Sequence, residues 1–214
     1  MYDYRYVTKN EAAPYKEDLR QLIYLVQDEV RDDFTFQFTP VGSSSPDRNM
    51  ITCLRNGNIG FDFDYNIEPN PKNNNTNPAF IRNRIYEALR KHAGKFGYTN
   101  IEESTSVITI KAVDRYRSRI LFSCDFAIVH HYNDNGVRYQ QYIRYNKGRN
   151  TYSWEDRGKG FYIEHKIEWL KKNGYWNNLR DYYIEKKNCN EDPNKHSRSL
   201  LAEAVNEKYS KYHG

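Results

Sequence analysis

The sequence predicts an α+β fold, an α/β-type mixed sheet with helices packed on it, followed by a helical region. Two segments carry apolar residues at a period near 3.6, and they are separated by runs with a period of two. After about Thr151 the apolar spacing becomes helical throughout. At 214 residues the chain has the size of one domain, or of a core with a helical appendage. We expect the core over residues 1–150 and the helical region over 151–214, packed on that core.

The elements follow in order. Tyr15, Leu19, Leu22, Ile23, Val26 and Val30 predict a first helix from Tyr15 to Arg31. Phe34, Phe36 and Phe38 alternate with Thr35, Gln37 and Thr39, the period of a strand that stops at Gly42 before three serines. NMITCLRNGNIGFDFDYNIEP reads as strand, Asn56-Gly57 turn and second strand, and PNPKNNNTNP as a loop. Asn77 followed by Pro78 is a cap with a first-turn proline, and Ile81, Ile85, Ala88, Leu89, His92 and Phe96 continue a helix to Gly97. SVITIKAV and RILFSCDFAIVHHY predict strands around the DRYRS turn, and Asn135-Gly136 leads into a further strand, VRYQQYIRY. The helical region has three stretches: Ile163, Ile167 and Leu170 up to Gly174, then Leu179 to Lys187, then Leu201, Ala204, Val205 and Lys208.

Composition narrows the function classes. Mean hydropathy is -1.00, yet 15% of residues are aromatic and 20 are tyrosine, so the chain carries core-forming material and is not a disordered tail. A net charge of +5 tolerates phosphate-bearing ligands and falls far short of a polybasic nucleic-acid coat. Three cysteines without CxxC spacing suggest neither a disulfide framework nor a zinc knuckle. No signal-like start or apolar run of membrane-spanning length occurs, and the sequence reads as a cytoplasmic protein without a membrane partner.

The chemistry concentrates in GFDFDYNI. Along a strand Asp62 and Asp64 point to one face while Phe61, Phe63 and Tyr65 point to the other. Two like charges that close need solvent, basic partners or a cation, and a cluster of carboxylate oxygens suits magnesium or manganese. Asp125 in LFSCDFAIV is a third acid, sharing a face with the small Ser123 and Ala127 on a strand that reads as central. Three strand-borne carboxylates suit two metal ions clamping an in-line phosphoryl displacement. Upstream, Gly42 in VGSSSPD lets backbone approach a ligand, and Ser43 and Ser44 supply donors for a phosphate. Singly these motifs have ordinary readings: a capped turn, a solvated strand face, a buried acid held by an arginine. Their order on separate segments joins them.

A strand ending in Gly42-Ser43, a following strand with Asp62-x-Asp64 and a later strand with Asp125 resembles the polymerase-beta-like nucleotidyltransferase superfamily, over about residues 15–146. That superfamily includes antibiotic nucleotidyltransferases, poly(A) polymerases and oligoadenylate or cyclic-dinucleotide synthases. The resemblance implies a nucleotidyltransferase-like core that moves a nucleoside monophosphate from a nucleoside triphosphate to a hydroxyl-bearing acceptor, releasing pyrophosphate. It implies Mg2+ or Mn2+ on Asp62, Asp64 and Asp125, with Asp125 also helping to deprotonate the acceptor, and the triphosphate held at Gly42, Ser43 and Ser44. Accessory helices of such proteins close the cleft, and here Lys166, Lys172, Ser197 and Ser199 are placed to reach the triphosphate. The 19 positions between Ser43 and Asp62 exceed the usual separation, so RNMITCLRNGN reads as an inserted hairpin or a longer strand. The acceptor stays open among a small molecule, a nucleotide, an RNA and a protein. Two other readings stand beside the enzyme: a catalytically silent nucleotide-binding module of the same fold, and a tyrosine-rich RNA-binding domain.

Overall fold

Alternating aromatic and polar residues build a mixed sheet whose aromatic face is closed by two helices. The computed structural model describes residues 2–55, 59–72, 76–158, 163–192, 195 and 197–214. In chain order the elements are β1 (Tyr4–Tyr6), α1 (Lys9–Val30), β2 (Phe34–Pro40), β3 (Thr52–Leu54), β4 (Ile59–Pro71), α2 (Pro78–His92), β5 (Tyr98–Glu103), β6 (Ile108–Asp114) and β7 (Arg119–Asp134). They continue with β8 (Val137–Asn146), β9 (Thr151–Asp156), α3 (Glu164–Lys172), α4 (Trp176–Asn188) and α5 (Ser197–His213).

The strands run in the order β2-β4-β7-β6-β5, and the far end of β7 pairs with β8, which pairs with β9. The pairing of β4 with β7 is parallel and the others are antiparallel, so the sheet is mixed as expected. Phe63, Tyr65 and Ile67 of β4 and Phe122, Cys124, Phe126 and Ile128 of β7 are buried on one face. There they share a core with Leu19, Leu22, Ile23 and Val26 of α1 and Ile81, Ile85 and Leu89 of α2. Tyr15 meets Phe61 edge-on at 5.4 Å and Phe122 at 4.8 Å, an aromatic cluster that extends to Phe63 and Tyr98. Arg82 of α2, 1% exposed, is a pin through this layer: it donates to Glu103 and to the carbonyls of Ser104, Val107 and Ile143 at 2.7–3.0 Å.

The structure departs from the expected elements in places that have physical causes. Helix α1 begins at Lys9, six residues before Tyr15, because Thr8 and Glu11 form a reciprocal capping box and Pro14 is accommodated inside the helix. The segment Thr52–Leu54 does not form a hairpin with β4; it pairs antiparallel with β1, and the Asn56-Gly57 turn lies outside the described residues. Strand β4 runs on through Pro69 to Pro71, where a loop is expected, because its ladder with β7 ends at Ile67 and prolines are tolerated where one edge is unpaired. Residues Thr151–Asp156 open the C-terminal part as a strand on β8, with Tyr152 and Trp154 packed against the main core. The short strands β1 and β5 have no sequence expectation behind them.

The three last helices enclose a second apolar cluster of Ile163, Ile167, Leu170, Leu179, Tyr183, Leu201, Ala204 and Val205. Met50, 0% exposed, joins it from the long connection between Ser43 and Asp62. That insertion therefore fastens the helical part to the sheet.

Candidate functional site

Strand register sets the site. In the parallel ladder Asp64 lies directly opposite Asp125, and Asp62 lies opposite Ser123. Neighbouring strands are about 4.8 Å apart, so the Asp64 and Asp125 side chains rise side by side from the face opposite the aromatic core. Thr109 of β6 donates to Asp125 Oδ1 at 2.6 Å, and the Ser123 hydroxyl donates to Asp62 Oδ1. Asp62 is exposed, whereas Asp64 and Asp125 are half-buried. Among the described residues no three His, Cys, Asp or Glu side chains converge as a ready metal cage; Asp62 is turned toward Ser123 and Asp125 toward Thr109. Burial, then the charges of Asp125 and Asp62, push the Asp64 carboxyl up to about 7 against the pull of Arg198 and Lys187. Excess negative charge on a pair of hard oxygen donors fits a divalent cation of the magnesium class.

Over this pair folds a one-turn 3-10 helix, Gly42–Ser44. Its geometry depends on the glycine: φ at Gly42 is +60°, and a Cβ there meets Asp64 Oδ2 at 3.3 Å. The turn is stitched to the acid-bearing strand: Val41 N donates to the Asp64 carbonyl at 2.9 Å, and Asp64 N donates to Ser44 Oγ at 2.9 Å. Ser44 is 1% exposed. Its hydroxyl therefore clamps the strand backbone from a buried position. Ser43 is half-buried beside it.

The helical part supplies positive charge. Lys187 of α4 is 5% exposed, and its ammonium donates to Thr52 Oγ1 at 2.6 Å and to Ser197 Oγ at 2.8 Å. It also lies over the Tyr4 ring at 4.2 Å. Burial pulls its pKa down to about 8, while Asp62 and Asp64 oppose that pull. Arg198 of α5 is likewise lowered by burial and supported by Asp64 and Glu164. Arg48, 7% exposed, donates to the Gly42 carbonyl at 3.1 Å and to Glu164 at 3.2 Å.

Sequence reasoning missed these three cations. Lys187 had a signal: it completes the buried stripe Leu179, Tyr183, Lys187 at intervals of four, where an apolar residue belongs. Ser197, which the sequence does suggest, opens α5 as the acceptor for Lys187, and Ser199 is half-buried on the same first turn. Lys166 instead donates to Asn206 at 2.6 Å and lies over the Tyr209 ring, within the helical part. Lys172 is exposed at the end of α3. No contact among the described residues brings either lysine to the acids.

A cleft of about 520 Å³ extends from Gly42 along the acid-bearing face of β4, past Asn66 and Glu68. Arg138, Arg157 and Arg198 stand around it. Glu68 accepts from the backbone N–H of His131 at 3.0 Å and lies 2.9 Å from its Nδ1, and Gln140 holds the other ring nitrogen at 2.7 Å. No described helix is long and apolar enough to cross a membrane.

No family sequence model matches the chain, and no curated protein is matched. Solved structures do match. The cyclic AMP-GMP synthase DncV of Vibrio cholerae with nonhydrolyzable GTP aligns with a TM-score of 0.59 at 15% identity, covering 94% of this chain and 52% of that one. Escherichia coli DncV with 3'-deoxy GTP gives 0.54 at 19% identity, with 94% and 53% covered. Vibrio cholerae DncV with the linear intermediate 5' pppA(3',5')pG gives 0.53 at 15% identity, with 94% and 52% covered. The chain spans about half the length of these structures. Its fold is the nucleotidyltransferase-like α+β fold that the motifs suggest.

Proposed function

We propose that the protein is a metal-dependent nucleotidyltransferase that moves a nucleoside monophosphate from a nucleoside triphosphate to a hydroxyl-bearing acceptor. The observation that carries this reading is the parallel register of Asp64 and Asp125 beneath the Gly42 turn. Structures of the same fold that hold GTP, 3'-deoxy GTP and a linear pppApG intermediate support a triphosphate as donor.

Asp62, Asp64 and Asp125 are the residues that would hold Mg2+ or Mn2+. Bound there, such ions offset the negative charge of the phosphates and of the departing pyrophosphate. Ser43 and the Gly42 backbone seat the triphosphate, with Lys187, Arg198 and Ser197 facing it from the helical part and Ser199 beside them. Lys166 and Lys172 serve only the periphery in this arrangement. The acceptor oxygen forms a bond to the α-phosphorus, the bond from that phosphorus to the bridging oxygen breaks, and pyrophosphate leaves. The hydroxyl proton passes to Asp125, whose Thr109 hydrogen bond fixes the carboxylate toward the acceptor.

The test is pyrophosphate release with each triphosphate and magnesium over a panel of hydroxyl acceptors. Release that disappears in Asp125→Ala while the variant stays folded supports the enzyme. Magnesium-dependent triphosphate binding with no release over the panel supports a silent binding module instead. One observation favours that second reading: Asp62 is turned to Ser123 and has to swing away to complete a three-acid site.

A further inference from the structure

Among the described residues on the acid-bearing face of β4, Asn66 is buried and its carbonyl oxygen has no partner. It follows Asp64 by two positions, so it stands about 7 Å further along the same face, roughly one sugar beyond a phosphate held at Asp64. The side chain is 8% exposed, it lines the cleft, and its Oδ1 is buried without a hydrogen-bond partner among the described residues. A buried carbonyl oxygen left unpaired is costly, so the Asn66 carboxamide is short of a partner on the wall of this cleft. Its neighbours leave room for one: Ala127 is its ladder partner on β7 and Thr39 its partner on β2. Gln37, Thr39 and Asn66 form the sheet-side floor of the cleft, and Arg138, Arg157 and Arg198 outnumber Glu68 and Glu164 around it, which favours an anionic molecule over a polycation.

A carboxamide presents a donor and an acceptor side by side, the complement of a nucleobase edge. Resting on the nucleotide-transfer reading above, we propose that Asn66 is a specificity-determining residue that pairs with the edge of a nucleobase lying on this floor. Arginine and backbone groups hold the phosphates and are indifferent to the base. The carboxamide supplies the discrimination.

The experiment is calorimetric binding of ATP, GTP, CTP and UTP separately, with calcium in place of magnesium to slow turnover, together with inorganic tripolyphosphate. The wild-type chain is expected to favour one base by about fivefold or more, the range of a single paired base edge. Asn66→Ala and Asn66→Ser bring the four triphosphates to within about twofold of one another and leave tripolyphosphate binding unchanged, which a merely structural loss does not do. Asn66→Asp, which removes the donor, changes which base is favoured. A base preference that survives in both the alanine and serine variants overturns the assignment, as does a wild-type chain with no preference. Base-selective binding without pyrophosphate release leaves Asn66 in its role and sinks the enzyme alone. A wild-type chain that binds no triphosphate sinks both.

Discussion

Replacing Ser44 with alanine separates two roles that the run of three serines conceals. The Ser44 hydroxyl is the hydrogen-bond acceptor for the Asp64 amide at 2.9 Å, and the residue is 1% exposed, so no water takes its place. Ser44→Ala strands that amide. An unpaired buried donor costs about 1–3 kcal/mol. For a chain of this size each kcal/mol lowers Tm by about 2–4 °C, so thermal unfolding followed by circular dichroism is expected to move down by about 2–12 °C. The same change loosens the turn that keeps Gly42 against Asp64, so pyrophosphate release falls as well. Ser43→Ala is the internal comparison. No side-chain hydrogen bond of Ser43 holds the fold among the described residues, so its Tm stays within about 1 °C. Its effect appears as a raised KM for the triphosphate. Ser44→Ala with unchanged Tm and unchanged turnover refutes the clamp, and a Ser43→Ala variant that loses more stability than Ser44→Ala reverses the assignment.

Three further outcomes follow from the geometry. Asp64 has a folded-state pKa of about 7, above the carboxylate value of 3.8, so the folded chain holds that proton more tightly than the unfolded one. Its contribution to stability is complete below pH 3.8 and lost as pH rises through 7; in metal-free buffer the loss is on the order of 2–4 kcal/mol, Asp64→Asn removes it, and denaturant titrations across that range show either result. Arg82→Met takes the guanidinium away from Glu103 and from three carbonyls of the layer, of which Val107 keeps Ser104 as donor, and is expected to cost about 3–5 kcal/mol by urea unfolding; a cost under 1 kcal/mol contradicts the pin. Lys187→Met keeps the packing volume and removes one charge facing Asp62 and Asp64, so triphosphate affinity drops about tenfold or more while the far-ultraviolet spectrum is retained. Unchanged affinity places Lys187 in the fold alone.

The acids and the sheet were legible because strand periodicity is a local property. Asp62 and Asp64 declared their shared face within five residues, and Asp125 declared the same through Ser123 and Ala127. What joined them was the ladder between β4 and β7, a pairing of segments about sixty positions apart that no local pattern encodes. The resemblance to nucleotidyltransferases supplied that adjacency in advance. At Ser44, a serine after glycine reads the same whether its hydroxyl faces a ligand or a backbone amide. The resemblance points to Lys166 and Lys172 on the accessory helices, yet orientation on a short helix sends one to Asn206 and the other to solvent. Arg48 lies in a segment without a periodic signature and Arg198 in the first turn of α5 ahead of its apolar stripe, and only tertiary packing brings them to Gly42 and Asp64. The strand β1 is three residues long and finds its partner in the insertion, where the sequence predicts a strand but not this pairing.

That pairing has a consequence for the order in which the molecule matures. Tyr4 N–H is held by Asn188 Oδ1 at 2.7 Å, the Tyr6 hydroxyl by the Arg180 carbonyl at 2.7 Å, and β3 lies alongside. Residues that leave the ribosome early thus wait for residues made some 180 positions later before they settle. Until those residues are made, Asp62 and Asp64 are without the opposing charge that Lys187 supplies in the folded chain.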